Sequence, residues 1–217
     1  MKNTILKILY TVLVFFLIFT VSIGLPIYLR PFYYAHINAM ELPEISGHSY
    51  TEIKDAYDEV LNFLTLPGGD FSAGVMRFSP EGKAHFEDCK DLFMLNGAVL
   101  IVSLIGVALM KVYRKRNGAE YYFGKLRASS LSAICAITIP LLIGSLAATD
   151  FDRAFVIFHK IFFPGKDNWI FNPEADEIIN VLPQDFFMNC AILIGAGLLV
   201  ISASIIIFNI IKDRKQR

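Results

Sequence analysis

The chain has 217 residues, 55% of them hydrophobic and only 18% charged, with twenty basic and twenty acidic side chains and a mean hydropathy of +0.52. An ordinary globular domain is about half apolar and about a quarter charged; here the apolar excess is gathered in long blocks, the pattern of an integral membrane protein. Three cysteines cannot staple a chain of this length as a disulfide scaffold. Zero net charge with no basic groove or zinc-finger spacing argues against a nucleic-acid partner.

The first element is an apolar run from Ile5 to Leu29. It is far longer than the roughly 7–15 residues of a signal-peptide core. The small-x-small triplet Ser22-Ile23-Gly24 leads into more apolar residues, so the segment reads as an uncleaved first span. Residues 30–91 are polar by comparison. Within them Ser49 precedes Glu52 at the spacing of a capping box, predicting a helix to about Leu64 that stops at Pro67-Gly68-Gly69. Ser79-Pro80 reads as an N-cap followed by proline at the first helical position. The helix it opens carries His85 and Asp88 and continues into a second span, residues 92–113.

A third span covers residues 128–148, with Pro140 inside it. Residues 149–185 form a second polar connection. Thr149 followed by Asp152 resembles another capping box, and its helix sets Phe151, Phe155, Phe158 and Phe162 along one side. Asn172-Pro173 predicts a short helix to about Val181, and Pro183 restarts the chain into a fourth span, residues 186–211. There Gly195, Gly197, Ser202 and Ser204 are small enough for neighbouring helices to approach closely.

Basic residues set the expected orientation. Lys2 and Lys7, the 111–127 connection and the C-terminal tail hold twelve of the twenty bases, with Glu120 and Asp213 the only acids among them. The two long connections hold the other eight bases and eighteen acids. Both termini are therefore expected in the cytoplasm, with residues 30–91 and 149–185 outside. The chain reads as a single membrane domain, residues 1–217: an all-α integral membrane protein of four transmembrane helices. A small, mainly helical extracytoplasmic cap, built from the two loops, rests on the outer membrane surface. Phe, Tyr and Trp in the cap suit the headgroup level, where a lipid-linked substrate can enter sideways.

All four histidines, His36, His48, His85 and His159, lie in this cap. Imidazole is the side chain best poised for proton transfer near neutral pH. His36, after Tyr33-Tyr34, and His48, in a Gly/Ser turn, read as interfacial or solvated. Asp88 is three residues beyond His85 and either orients its ring or is a solvated acid. His159 sits on an aromatic face with Phe155, Phe158 and Phe162, where a structural histidine is the commoner case. Asp152 either orients a histidine or only caps its helix. There is no Gly-x-Ser-x-Gly elbow, Cys-x-x-Cys or His-Glu-x-x-His motif, and no metal-ligand spacing. No cofactor or metal is expected. Cys89 and Cys190 read as free thiols near the outer ends of spans.

Two stretches resemble the bacterial lipoprotein intramolecular transacylases: Arg77-Phe78-Ser79-Pro80-Glu81 leading to His85-Phe86-Glu87-Asp88, and Phe151-Asp152-x-x-Phe155-x-x-Phe158-His159 continuing through Phe163, Trp169, Pro183 and Phe186-Phe187. The four-span layout agrees with the same family. The resemblance implies a membrane acyltransferase acting on a diacylated lipoprotein. The enzyme moves the sn-2 acyl chain of the diacylglyceryl-Cys to the α-amino group of the same N-terminal Cys, leaving lyso-form lipoprotein. It also implies that His85 and His159 are catalytic. Asp88, Asp152, Arg77, Phe78, Phe155, Phe158 and Trp169 are then candidates for binding or orienting the substrate, with membrane lipid around the site. The alternative is a non-enzymatic four-span accessory or transport subunit that binds a partner through its cap. Transport is disfavoured, since the span interiors carry essentially no ionisable residues. Nothing in the sequence specifies an oligomeric state.

Overall fold

The structure is a computed structural model that describes residues 2–147 and 149–215. In chain order the helices are α1 (Lys2–Tyr28), α2 (Arg30–Ala39), α3 (Leu42–Ser46), α4 (Tyr50–Thr65) and α5 (Pro80–Asn117). A two-strand hairpin follows, β1 (Tyr122–Phe123) and β2 (Leu126–Arg127). Next come α6 (Ala128–Ala147), α7 (Phe151–Phe162), a 3₁₀ helix (Glu177–Val181) and α8 (Gln184–Lys215). Four helices, α1, α5, α6 and α8, are long and apolar enough to cross a membrane, as the sequence predicts; the last residue expected in the third span, Ala148, lies outside the described residues. In α5 the apolar spanning part is residues 92–113. The turns before it carry Glu81, Lys83, Glu87, Asp88, Lys90 and Asp91 and lie outside that stretch.

The fold divides into two compact units. One comprises residues 1–25, 96–146 and 193–217. Its core is formed by Tyr10, Val14 and Ile18 with Val107, Met110, Tyr121, Ala133, Ala136 and Leu198. Most of the remaining apolar side chains, such as Val102, Leu109, Val200 and Phe208, point outward, as they must where the surrounding solvent is hydrocarbon. Of the four small residues noted in the fourth span, Gly197 is closely approached: a Cβ there would lie 2.5 Å from Leu25 Cδ1. Ser202 is buried beside it in the same unit, whereas Gly195 meets nothing within 4 Å and Ser204 is exposed. Two residues apart on a helix is about 200° of rotation, so Gly195 and Gly197 cannot share a face. The hairpin, unforeseen from the sequence, turns through Gly124-Lys125, with Gly124 alone at positive φ (60°). Glycine first in a two-residue turn is the requirement of a type II′ hairpin.

The other unit comprises residues 26–95 and 147–192. Tyr33, Ile37, Leu42, Ile53, Tyr57, Val60, Ile178 and Val181 form its buried centre. Tyr33 stacks on Tyr57 with ring centroids 3.7 Å apart and donates its hydroxyl hydrogen bond to the Val181 carbonyl at 2.7 Å. The expected capping box is present: Ser49 Oγ accepts from the Glu52 amide, and the Glu52 carboxylate accepts from the Ser49 amide. The helices α2 and α3, for which no local signal was assigned, each have proline in the first turn. Two local readings need correction. Helix α7 is capped by Asp150, not Thr149, since Asp150 Oδ1 accepts from the Arg153 amide at 2.9 Å. Asn172 opens a turn and not a helix; regular winding begins only at Glu177 and is 3₁₀.

Candidate active site

The start of α5 is built to hold its first turns rigidly. Ser79 Oγ accepts from the Gly82 amide at 2.9 Å, the N-cap bond expected from the sequence. Ser79 also donates, through its amide (2.7 Å) and hydroxyl (2.8 Å), to Oδ1 of Asp176, a carboxylate only 3% exposed. That approach is possible because residue 82 is glycine: a Cβ there would fall 2.2 Å from Asp176 Oδ1 and 3.1 Å from a ring carbon of Phe171. Neither Asp176 nor Gly82 was identified from the sequence. Gly82→Ala should therefore lower thermal stability in detergent, by about 1–3 kcal/mol for a clash of this kind in a packed site. Gly144→Ala, with nothing within 4 Å, serves as the neutral control; equal melting temperatures for the two variants would refute the packing argument.

One turn further along, His85 is 5% exposed. Its Nε2 lies 3.4 Å from Cys89 Sγ, and its Nδ1 is buried without a hydrogen-bond partner. Phe163 and Phe171 present ring edges to it, with centroids 4.8 and 5.5 Å away. His159, on α7, is 6% exposed and donates Nδ1–H to the Phe155 carbonyl at 2.7 Å. That bond fixes the tautomer and leaves Nε2 as a lone-pair acceptor. Trp169 stacks on the His159 ring at 4.6 Å and 27°, and the Phe155 ring lies at 4.3 Å. The two imidazoles, 74 positions apart in the chain, have centroids 5.7 Å apart.

Burial favours the uncharged form of both rings. Burial, reinforced by the nearby His159, pushes His85 down to about 4, against a smaller upward pull from Asp88. Burial also lowers His159, partly offset by its bond to the Phe155 carbonyl. The other histidines contrast with this pair. His36 repeats the local geometry of His159, with Nδ1 bonded to the Phe32 carbonyl at 2.7 Å, but its Nε2 is taken by Asn189 at 3.2 Å. His48 lies 3.8 Å from the Glu177 carboxylate.

The remaining candidates divide clearly. Phe155 and Trp169 flank His159, and Phe158 touches it edge-on at 5.5 Å while remaining 46% exposed. Asp88 makes no hydrogen bond to His85 among the described contacts; its carboxylate is occupied by Lys166 and by Asn168 Nδ2 at 3.0 Å. Burial pushes the Asp88 carboxyl up, but those two donors outweigh it and hold the acid below its usual range. Arg77 pairs with Glu177 through Nε at 2.7 Å and Nη2 at 2.5 Å, tying the approach to α5 onto the 3₁₀ helix. Phe78 packs edge-on against Phe71 at 4.9 Å. Asp152 accepts from Gln184 Nε2 at 2.5 Å. These last three are joined to other partners and not to either imidazole. The loop after α7 adds groups that no local motif announced: Phe171, Lys166, and Asn168, whose Oδ1 is the second buried polar atom of this unit without a partner. Cys89 and Cys190 are free thiols.

The sequence model of the family described as lipoprotein intramolecular transacylase Lit matches residues 8–187. No curated protein sequence matches the chain. Among solved structures, the membrane-integral lipoprotein intramolecular transacylase Lit from Bacillus cereus superposes with a TM-score of 0.86 at 25% identity, covering 99% of this chain and 98% of that one. Two variants of the Bacillus cereus protein share the fold at 24% identity. One, with a histidine replaced by arginine, gives a TM-score of 0.80 over 100% of this chain and 95% of that one. The other, with a histidine replaced by alanine, gives 0.81 over 100% and 96%.

Proposed function

Because the chain belongs to the lipoprotein intramolecular transacylase family, we propose that it transfers the sn-2 acyl chain of a diacylglyceryl-Cys lipoprotein to the α-amino group of the same cysteine, using His85 and His159 as its proton-handling pair. The observation that carries this reading is the pairing of two buried imidazoles with centroids 5.7 Å apart, His85 with an unpartnered Nδ1 and His159 with its Nδ1 committed to the Phe155 carbonyl, inside a wall of aromatic rings.

The chemistry asks for two complementary groups. A free α-amino group has a pKa of about 7.7–8, so at neutral pH it must lose a proton to attack an ester. His159 suits the role of base, since its Nδ1 is committed to the Phe155 carbonyl and its Nε2 lone pair is open. The amine nitrogen bonds to the sn-2 carbonyl carbon as its proton passes to His159. His85, whose Nδ1 is left without a partner in the fold, is assigned to the oxygen that gains charge. The carbon–oxygen bond to glycerol then breaks, and that oxygen takes the proton held by His159 to become the free sn-2 hydroxyl. Donor and acceptor are one molecule, so no acyl-enzyme is needed. The ring closed in the transition state runs through nitrogen, Cα, Cβ, sulfur, two glyceryl carbons, oxygen and the acyl carbon, about eight members. Rings of this size close slowly when unrestrained, and holding the two ends together supplies several kcal/mol. Phe155, Trp169, Phe163 and Phe171 line the positions from which that restraint acts.

The distribution of basic residues supports a cytoplasmic placement of both termini and an outward-facing histidine pair. The test is direct. Purified protein is incubated with a synthetic diacylglyceryl-Cys peptide, and the product is fragmented in a mass spectrometer. Transfer leaves the total mass unchanged and moves one acyl chain onto the N-terminal nitrogen; a mixture of isotopically distinct peptides shows no crossover, and an N-acetylated peptide does not react. Release of free fatty acid, or exchange of chains between peptides, would overturn the reading.

A further inference from the structure

We propose that Asp88 is a positioning residue that straps the Phe163–Phe171 loop to helix α5 and thereby sets Trp169 against His159. This rests on the function proposed above, and it assigns to Asp88 a role exerted through the loop and not through His85.

The contacts form a chain with no gap. Asp88 lies one turn beyond His85 on α5, and each of its carboxylate oxygens is engaged, one by Lys166 Nζ and the other by Asn168 Nδ2. Lys166 is thus held at its side chain, and its backbone carbonyl accepts the indole Nε1–H of Trp169 at 3.0 Å. The indole so oriented lies nearly parallel to the His159 ring, 27° off plane at 4.6 Å between centroids. The two ends of the loop pack on α5 through Phe163 and Phe171, which lie against His85, and Phe171 also against Phe86; between them the backbone bonds, Lys166 amide to the Phe163 carbonyl and Ile170 amide to the Asp167 carbonyl, are internal to the loop. The Asp88 carboxylate adds the polar tie of residues 166–168 to the helix that carries His85. The stacked indole covers one face of the base and keeps water from it.

Trp169 is the only tryptophan in the chain, so its fluorescence reports the contact without interference. A protonated imidazole stacked on indole quenches its emission, and a pH titration then reads His159 through Trp169. The other titratable groups around the pair are His85, Cys89, Asp88 and Lys166, and His159→Phe supplies the titration-free baseline. In the unsubstituted protein the quenching midpoint should lie below 6.5, the ordinary histidine value. In Asp88→Ala and in Lys166→Met the indole leaves its stack and water reaches the ring. The midpoint should then rise toward 6.5, and the quenching amplitude should shrink. On the diacylated lipopeptide the same two variants should lose roughly ten- to hundred-fold in kcat, the cost of a reacting group displaced by about 1 Å, with KM little changed. Asp88→Glu, which keeps the charge, should recover most of both signals. A midpoint or a kcat that is unchanged in both variants overturns the strap. Failure of the unsubstituted protein to N-acylate the peptide overturns the function instead, and leaves the fluorescence result standing as evidence for or against the strap.

Discussion

His159→Ala is expected to lower the rate of N-acylation by about 10²–10⁴-fold, the range that a positioned general base supplies, while the protein stays folded. The reasoning is that Nε2 of His159 is the one nitrogen of the pair whose acceptor state is fixed by a bond on the opposite side of its own ring, at 2.7 Å to the Phe155 carbonyl. His159→Phe sharpens the experiment, because a phenyl ring still stacks between Trp169 and Phe155 but accepts no proton. Mass-spectrometric quantitation of the lyso-form product over time gives the rates, and melting temperatures in detergent verify folding. If the phenylalanine variant retained more than about a tenth of the activity, burial of that face by an aromatic ring would be its role, and His159 would leave the mechanism.

His85→Ala is expected to cost a comparable factor, and the two substitutions combined should cost little more than either alone, because groups acting on one proton-transfer event are strongly non-additive. The pH dependence follows from the direction of the shifts. With His85 pushed down to about 4 and His159 also lowered by burial, the uncharged form of both rings is favoured. The acidic limb of kcat/KM then belongs to the substrate amine: the rate should fall about tenfold per pH unit below about 7.7 and level off above it. A limb centred near 6.5 would instead mean that an ordinary, water-exposed histidine governs the step. Stability responds to the same depression. Between about 6.5 and 4 the unfolded chain binds a proton at His85 that the folded protein refuses, so the stability present above 6.5 is lost as the pH falls through that window. In His85→Gln, which carries no titrating ring at this position, the melting temperature should drop less between pH 7 and pH 5 than in the unsubstituted protein; equal drops would show that the buried ring is not the cause.

Much of this was legible in the residues. Four apolar stretches of about twenty residues each admit no fold but membrane-crossing helices, because every backbone group must be bonded within the segment, and all four are observed. Capping is likewise local chemistry, so Ser49 with Glu52 and Ser79 before Pro80 announced the starts of α4 and α5. Where two oxygen-bearing side chains compete within one turn the local rule loses its power, and Asp150 in place of Thr149 is such a case. The helices α2 and α3 are not announced locally, because α3 is barely one turn long, α2 buries only Tyr33 and Ile37, and their packing depends on a distant partner, as in the bond from Tyr33 to the Val181 carbonyl. The choice between an enzyme and an accessory subunit was open from composition and motifs alone; membership of the transacylase family decides it for the enzyme.

Asp88 shows the boundary most plainly. Three residues from His85, it offered two readings of equal local merit, an orienting carboxylate or a solvated acid. Its oxygens are engaged by Lys166 and Asn168, and Lys166 stands 78 positions away and reaches it only once the chain has folded. The same holds for Gly82 with Asp176 and for the stacking of Trp169 on His159. Local periodicity, caps and hydrocarbon-length runs are properties of neighbours in the chain, and they dictated the helices and the spans, while the family resemblance marked the two histidines. Which groups surround those histidines, and which nitrogen of each ring stays open, depends on segments that meet only through packing. No spacing along the chain encodes that meeting.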